Sequence, residues 1–182
     1  MQTLNKSIVL IGFKHTGKSI IGKSLAKKMH VPFIDLDRKI ESLYEEKFNK
    51  KKACRQIMED KGETYFRYLE HQALSKTVSS QACILSLGGA TSLYTENQAI
   101  IKSNLKIHIT AEKGIVFERI CMSGRPAFFN PEEDFLESFN RLWNEREKIY
   151  LKIKDFSILN NGSVDEAVQK IINQLTLKER LL

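Results

Sequence analysis

Eight residues near the start of the 182-residue chain have the types and spacing of a phosphate-binding loop. The segment Gly12-Phe-Lys-His-Thr-Gly17-Lys18-Ser19 matches the pattern G-x-x-x-x-G-K-[ST], with an apolar run before it and an amphipathic stretch after it. Backbone N–H groups of such a loop surround phosphate oxygens, the lysine reaches the terminal phosphates, and the serine hydroxyl is a hard ligand for Mg²⁺. A chance match in an ordinary turn is the alternative, and the flanking patterns argue against it. The sequence therefore predicts a nucleoside triphosphate site.

Two carboxylates, Asp35 and Asp37, follow the next apolar segment at a spacing of two residues. Side chains at i and i+2 of an extended segment point the same way, so both can face the phosphate site. One can hold the hydration shell of Mg²⁺ while the other accepts a hydrogen bond from an acceptor hydroxyl. Alternatively, Asp37 is only the N-cap of the helix that follows.

Two arginines lie on predicted helices where a bound carboxylate could pair with them. Arg67 and Glu70 are three residues apart and can pair. This pairing would hold the guanidinium group in place to bind a carboxylate through two hydrogen bonds. A second arginine lies in the predicted inward stripe of a later helix, which is Phe139, Leu142, Arg146 and Ile149. A buried charge requires a partner, and a carboxylate ligand would supply one.

Two further loops are suited to contact ligands. Gly88 and Gly89 allow the backbone to approach a ligand without a side chain in the way. Gly124-Arg125-Pro126 opens a polar, Phe-containing loop that continues to about Asp134, and we expect this loop to be mobile.

Strand and helix patterns alternate along the chain, and the resulting fold would determine where these candidate residues lie. Predicted strands are Ser7–Gly12, Val31–Leu36, Ala82–Leu87, Leu105–Thr110 and Phe156–Leu159. Predicted helices are Lys18 to Met29, segments between Asp37 and Ser79, one from Phe135, and one from the capping box at Ser163 to about Lys178. This alternation predicts an α/β fold, a five-stranded parallel sheet between two helix layers, with ligands beyond the carboxyl ends of the strands. We expect one domain over residues 1–182.

Composition narrows the functional classes. The net charge of +7 is compatible with nucleic acid or with anionic substrates, but no RNA-binding aromatic motif, zinc finger or basic reading helix is present. The run Lys50-Lys51-Lys52 is typical of a solvated face. No apolar run could span a membrane, and the run at residues 7–12 is too short for a signal peptide, so we expect a cytoplasmic protein. The three cysteines have no metal or disulfide spacing and are expected to be reduced, mostly buried thiols.

Among nucleotide-binding proteins, two large classes do not fit. GTPases need a base-reading N-K-x-D segment, and Asn5-Lys6 and Asn49-Lys50 lack its aspartate. Helicase and transporter ATPases need much longer chains. A short kinase that acts on a small acceptor remains.

Taken in order, these motifs resemble those of the shikimate kinase family over about residues 7 to 150. That family combines a P-loop, a D-x-D pair, G-E-x-x-F-R-x-x-E, a glycine triplet, a G-R-P lid and R-x-P-x-Y. Each motif after the P-loop is weak alone, whereas the ordered set is specific. The resemblance implies a P-loop kinase fold with a mobile lid at about residues 123–134.

The resemblance also implies roles for individual residues. The implied ATP site is Gly12, His15, Thr16, Gly17, Lys18, Ser19, Ile20, Arg119 and Arg125, although Arg119 could equally be a surface residue. The implied shikimate site is Asp37, Arg67, Gly88, Gly89 and Arg146, with Glu70 orienting Arg67. Asp37 would be the base, with Lys18 and Arg125 stabilising the transferring phosphoryl group, and Ser19 and Asp35 would lie at Mg²⁺.

Three positions depart from the family pattern. His15 stands where the family usually has glycine, Ala90 ends the glycine triplet, and Lys148 replaces the proline of R-x-P-x-Y. None of these changes removes a charged catalytic group. The first can alter the shape of the loop, and the third weakens the assignment of Arg146.

The implied activity is transfer of the ATP γ-phosphate to the 3-hydroxyl of shikimate, with Mg²⁺ as cofactor. A monomer without nucleic-acid or membrane partners is expected. Two alternatives stay open: another small-molecule kinase of this fold, such as a gluconate-type or nucleotide kinase, and a nucleotide-binding module without catalysis.

Overall fold

A five-stranded parallel sheet lies at the centre of residues 5–123, 129 and 132–179, which are the residues that the computed structural model describes. Its strands are β1 (Ile8–Ile11), β2 (Phe33–Asp35), β3 (Ile84–Ser86), β4 (Leu105–Thr110) and β5 (Phe156–Leu159). Their order across the sheet is β2-β3-β1-β4-β5, and every neighbouring pair is parallel. The central strand β1 is therefore covered on both edges, so the loop that follows it emerges in the middle of the sheet.

Helices cover both faces of this sheet. They are α1 (Lys18–Met29), α2 (Leu36–Phe48), α3 (Cys54–Ser80), α4 (Thr95–Ile101), α5 (Lys113–Ser123), α6 (Phe135–Ile153) and α7 (Val164–Glu179), with a 3₁₀ turn at Thr91–Leu93. The predicted three-layer α/β fold is confirmed. Strands β4 and β5 and helix α1 have the predicted bounds, whereas α4 and α5 are not among the predicted elements.

Two hydrophobic cores lie on opposite faces of the sheet, because successive side chains of a strand point to opposite sides. Ile8 and Leu10 belong to the core beneath α1 and α7, while Val9 and Ile11 belong to the core beneath the other helices. All four side chains are at most 2% exposed. A continuous apolar run is typical of a strand buried on both faces, and it anchors the loop at Gly12 rigidly.

The single tryptophan and the three cysteines differ in their burial. Trp143 packs in the core, with its ring centre 5.3 Å from that of Phe13. All three cysteines are free, but only Cys83 is buried; Cys54 is partly buried and Cys121 is exposed, so the prediction of mostly buried thiols is wrong. Within the described ranges, no helix is both long enough and apolar enough to cross a membrane.

Candidate active site

The phosphate loop lies between β1 and α1, and its two pattern glycines are required by backbone geometry. Gly12 has φ +138° and Gly17 has φ +97°, which are backbone conformations that residues with a Cβ rarely adopt. A Cβ on Gly12 would lie 2.2 Å from the Ile109 carbonyl oxygen, and one on Gly17 would lie 2.4 Å from Asn160 Nδ2. The loop is thus pressed against β4 and the end of β5.

His15 occupies the left-handed region, with φ +65°. Histidine is among the residues that tolerate this region, so the loop keeps a conformation that would suit glycine. Arg119 supports it, because its NH1 group donates to the His15 carbonyl oxygen at 3.2 Å. Burial, followed by the charges of Lys14, Lys18 and Arg119, lowers the pKa of His15 below 6.5. His15 therefore loses its proton at a lower pH than an exposed histidine.

Lys18 is buried, and its ammonium group donates to the carbonyl oxygens of Gly12 at 2.8 Å and Phe13 at 2.7 Å. Burial lowers its pKa to about 8, while the nearby carboxylates of Asp37 and Asp35 oppose this shift. A phosphate anion would restore the preference for the charged form. Lys18 is thus placed to bind an anion held by the loop.

The rest of the loop is held by neutral hydrogen bonds. The Thr16 hydroxyl donates to the Phe13 carbonyl oxygen at 2.9 Å, and Asn160 Nδ2 donates to the Thr16 carbonyl oxygen at 2.8 Å. Asn160 is not among the predicted site residues. Its position directly after β5 is the signal that could have identified it, because ligands bind beyond the carboxyl ends of strands. Ile20, which the family resemblance also assigns to the ATP site, lies on α1 and is 58% exposed.

Asp35, rather than Asp37, is the N-cap of α2. Asp35 Oδ1 accepts from the Asp37 N–H at 3.1 Å, while Oδ2 accepts from the Ser19 hydroxyl at 2.6 Å. The alternative that Asp37 serves as N-cap is therefore wrong. The assumption that both carboxylates lie on one extended segment is also wrong, because Asp35 ends β2 and Asp37 lies in the first turn of α2.

Asp37 lies beside an open cavity that Ser19 and Asp35 also line. The Asp37 side chain is exposed at this opening, yet the surrounding protein partly desolvates its carboxylate. This desolvation, followed by the charge of Asp35, raises the pKa of Asp37 to about 6, while Lys18 opposes the shift. A carboxylate with a pKa near 6 is suited to accept a proton near neutral pH.

Arg67 projects from α3 and is held by two glutamates. Its NH1 group donates to Glu70 Oε2 at 3.0 Å, and its NH2 group donates to Glu63 Oε1 at 3.2 Å. Its guanidinium carbon lies 5.1 Å from the centre of the Tyr94 ring. The predicted pairing of Glu70 with Arg67 is present, and it orients the guanidinium group.

Arg146 lies buried on the inner face of α6, with its guanidinium carbon 5.1 Å from the centre of the Phe13 ring. Burial lowers its pKa, and the like charge of Arg67 contributes to the same shift. The helix stripe differs from the predicted one: its buried members are Ser138, Phe139, Trp143, Arg146 and Tyr150, while Leu142 and Ile149 are only partly buried. A bound anion near Arg146 would offset both its burial and the repulsion from Arg67.

The glycine pair lies where the phosphate loop and the two arginine helices meet. A Cβ on Gly88 would lie 3.0 Å from Asp37 Oδ1 and 3.6 Å from Glu70 Oε1. A Cβ on Gly89 would lie 3.2 Å from the Lys14 amide nitrogen and 3.7 Å from Arg146 NH1. Side chains at either position would fill the space between these groups.

Arg125 and most of the predicted lid lie outside the described residues. Within the described part of that segment, Phe129 is buried and its ring packs edge-on against Phe135, at 4.9 Å between centres. The Tyr150 hydroxyl, which belongs to the segment Arg146-Glu-Lys-Ile-Tyr150, donates to the Gly89 carbonyl oxygen. This bond joins α6 to the glycine pair although lysine replaces the family's proline at position 148.

The chain is similar in sequence and structure to shikimate kinases. Residues 15–176 match the family model described as shikimate kinase. A shikimate kinase of Flavobacterium psychrophilum is 34% identical over 173 residues, which cover 91% of this chain and 96% of that protein. The crystal structure of the Aquifex aeolicus shikimate kinase has a TM-score of 0.79 at 29% identity, covering 95% of this chain and 98% of that one. A shikimate kinase from Acinetobacter baumannii in complex with shikimate has a TM-score of 0.81 at 26% identity, covering 97% and 96%.

Proposed function

Because this chain belongs to the shikimate kinase family, we propose that it transfers the γ-phosphate of ATP to the 3-hydroxyl of shikimate. The product would be shikimate 3-phosphate. The observation that carries this proposal is the position of the glycine pair. The space that a Cβ on Gly88 would enter is bordered by the Asp37 carboxylate, and the space beside Gly89 is bordered by the phosphate-loop backbone and Arg146. A small acid bound over the glycines would therefore meet the base, the phosphate donor and a guanidinium group together.

Each charged group has a part in this reaction. Phosphoryl transfer depends mainly on positioning and on neutralising the charge of the transferring group. Lys18 would stabilise the phosphate oxygens, with Arg125 of the lid as a second cation. Asp37 would orient the acceptor hydroxyl and take up its proton. Arg67 and Arg146 would bind the shikimate carboxylate, since guanidinium groups match carboxylate geometry.

The Ser19 hydroxyl and the Asp35 carboxylate fit a Mg²⁺ ion. Both are hard oxygen donors, and Asp35 Oδ2 lies 2.6 Å from Ser19 Oγ. Mg²⁺ in kinases keeps several water and phosphate ligands, so two protein oxygens nearby are sufficient to place it. When bound, the ion would neutralise charge on the phosphates.

Several broader features are part of the same proposal. We expect one domain, a monomer in solution and a lid at about residues 123–134 that closes over ATP and excludes water. ATP as the co-substrate favours the cytoplasm as the site of action. Small anionic substrates also account for the positive net charge without a nucleic-acid partner.

A coupled assay of ADP release tests the activity and separates the alternatives. Purified protein with MgATP is supplied in turn with shikimate, gluconate and nucleoside monophosphates. We expect turnover with shikimate and none above background with the others. Turnover with gluconate or a nucleotide would show a different kinase of this fold, and nucleotide binding without turnover on any acceptor would show a binding module.

Two substitutions test the assigned roles, each with a matched control. Asp37→Asn should lower kcat about 100-fold or more, because general bases contribute roughly that much, with little change in ATP binding.

Arg67→Ala should weaken acceptor binding by about 2–5 kcal/mol, since it leaves a charge pair broken. Asp165→Asn and Arg55→Ala alter exposed residues, one on α7 and one on α3, and should leave the kinetics unchanged. Near-normal turnover in Asp37→Asn would contradict its role as the base, and an unchanged acceptor KM in Arg67→Ala would remove Arg67 from the acceptor site.

A further inference from the structure

The Glu70 carboxylate is 2% exposed and has a different partner at each oxygen. Oε2 accepts from Arg67 NH1 at 3.0 Å, and Oε1 accepts from the Thr91 hydroxyl at 2.7 Å. A buried carboxylate is costly unless its oxygens accept hydrogen bonds. The Thr91 hydroxyl and the Arg67 guanidinium group thus hold the two oxygens of the Glu70 carboxylate.

Thr91 lies directly beside the acceptor end of the site. It is fully buried at the start of the 3₁₀ turn that follows the glycine pair, and its N–H donates to the Gly88 carbonyl oxygen at 3.3 Å. A Cβ on Gly88 would lie 3.0 Å from both Thr91 Oγ1 and Asp37 Oδ1. The Thr91 hydroxyl and the Asp37 carboxylate thus border the same space, which is open only because position 88 is glycine.

The backbone of Thr91 is held from its other side by two polar residues. Asn97 Nδ2 donates to the Thr91 carbonyl oxygen at 2.9 Å, and Asn97 is 2% exposed. His71 Nδ1 lies 2.9 Å from Asn97 Oδ1, so the tautomer with its proton on Nδ1 donates to the amide oxygen. A continuous hydrogen-bonded chain therefore runs from His71 through Asn97, Thr91 and Glu70 to Arg67.

We propose that Thr91 is a positioning residue of the acceptor site, whose hydroxyl holds Glu70 so that the Arg67 guanidinium is aimed at the substrate carboxylate. Thr91 acts only through Glu70 and Arg67 and does not itself touch the acceptor. None of the motifs in the sequence contains Thr91. This role rests on the proposed acceptor, shikimate, and it specifies how the selectivity of the same site is maintained.

The test replaces the hydroxyl with a methyl group of similar size. Thr91→Val should raise the KM for shikimate about 10-fold, within roughly 5-fold to 50-fold, because the bond that it removes is made to a charged group. The KM for ATP should stay within about twofold, and kcat should change less than about threefold. Thr91→Ser keeps the hydroxyl and should restore the shikimate KM to within about threefold of the unsubstituted protein.

Thr77→Val is the matched control. Thr77 is also buried, and its hydroxyl donates to the Ala73 carbonyl oxygen of α3, away from the proposed acceptor groups. The same change of atoms there should leave both Michaelis constants unchanged. If Thr91→Val does not purify as a folded protein, Thr91→Ala removes the same hydroxyl and is subject to the same expectations.

A double substitution shows whether Thr91 acts through Arg67. In an Arg67→Ala background, Thr91→Val should change kcat/KM for shikimate less than about twofold, because its target is gone. A full additional loss in that background would overturn the proposal, as would a shikimate KM in Thr91→Val within twofold of normal, or a Thr91→Ser variant as impaired as Thr91→Val. Failure of the unsubstituted protein to phosphorylate shikimate would instead refute the proposed function, before any variant is compared.

Discussion

Desolvation by the surrounding protein shifts the pKa values of Lys18 and Asp37 in opposite directions. It lowers the pKa of Lys18 to about 8 and raises the pKa of Asp37 to about 6, and the attraction between the two groups opposes both shifts. A buried cation loses its proton more readily than in water, whereas a desolvated carboxylate holds its proton more tightly. Both groups are therefore charged between about pH 6 and pH 8.

The pH dependence of catalysis should follow from these two groups. Below about pH 6 Asp37 becomes protonated and cannot accept the hydroxyl proton, so kcat/KM for shikimate should fall. Above about pH 8 Lys18 loses its charge before ATP binds, so kcat/KM for ATP should fall. Initial rates across pH 5 to pH 9, with the second substrate saturating, measure both limbs.

His15 provides the control for the acidic limb, because it is a second titratable group near the phosphate loop, and burial followed by the nearby cations lowers its pKa from 6.5. In His15→Gly, which suits the φ of +65° at this position, the acidic limb should stay at the same pH. A limb that moves or disappears in this variant would assign the titration to the histidine instead of Asp37.

At the scale of single elements, helix α3 contains a break at Gly62. Gly62 has φ +80° and ψ 164°, so Cys54–Ser80 consists of two helical pieces joined at this residue. The second piece carries Glu63, Arg67 and Glu70. This backbone region is essentially restricted to glycine, so the direction of the second piece depends on Gly62.

Gly62→Ala should therefore destabilise the protein by about 1–3 kcal/mol. No atom lies within 4 Å of a Cβ at this position, so the cost would come from the backbone conformation alone. Urea denaturation followed by circular dichroism measures the change in the free energy of unfolding.

Gly114→Ala is the matched control in α5. A Cβ at Gly114 also meets no atom within 4 Å, but the residue lies in a regular helix without positive φ. Alanine should stabilise the protein there by up to about 1 kcal/mol, because it is the better helix former. Equal effects of the two substitutions would contradict the dependence of α3 on the conformation of Gly62.

At the scale of the whole molecule, the two anionic substrates would bind to neighbouring sites beyond the carboxyl ends of the strands. In the proposed reaction, β1 and α1 would build the donor site, and α2, α3, α6 and the loop after β3 would build the acceptor site. A ligand that binds only the folded protein stabilises it in proportion to its saturation. Each site can therefore be tested through the stability of the fold, without turnover.

Thermal unfolding should separate the two sites. MgATP or shikimate at about 100 times its Kd should raise Tm by roughly 5–10 °C, which corresponds to about 2.7 kcal/mol of linkage. Lys18→Met should abolish most of the shift with MgATP while keeping that with shikimate, and Arg67→Ala should do the reverse. Loss of both shifts in either variant, with an unchanged Tm without ligand, would show that the two sites are not separate.

Features that depend on neighbours in sequence could be predicted from the sequence alone. The phosphate loop, α1, β4 and β5 follow from glycine positions and apolar periodicity, and the order of strands and helices determined a parallel sheet. The rule that ligands bind beyond strand ends then indicated Asp35, Asp37 and the glycine pair. The ordered motifs also determined the family, since each motif restricts the next.

Only the tertiary structure decided which distant polar groups meet. Asp35 takes the N-cap position because β2 ends one residue earlier than predicted, and Tyr150 replaces Ile149 on the inner face of α6. Thr91 reaches Glu70 across 21 residues because α3 and the loop after β3 pack together. Local patterns are set by steric preferences within a few residues, whereas such pairs depend on how whole elements pack, which no short segment of sequence encodes.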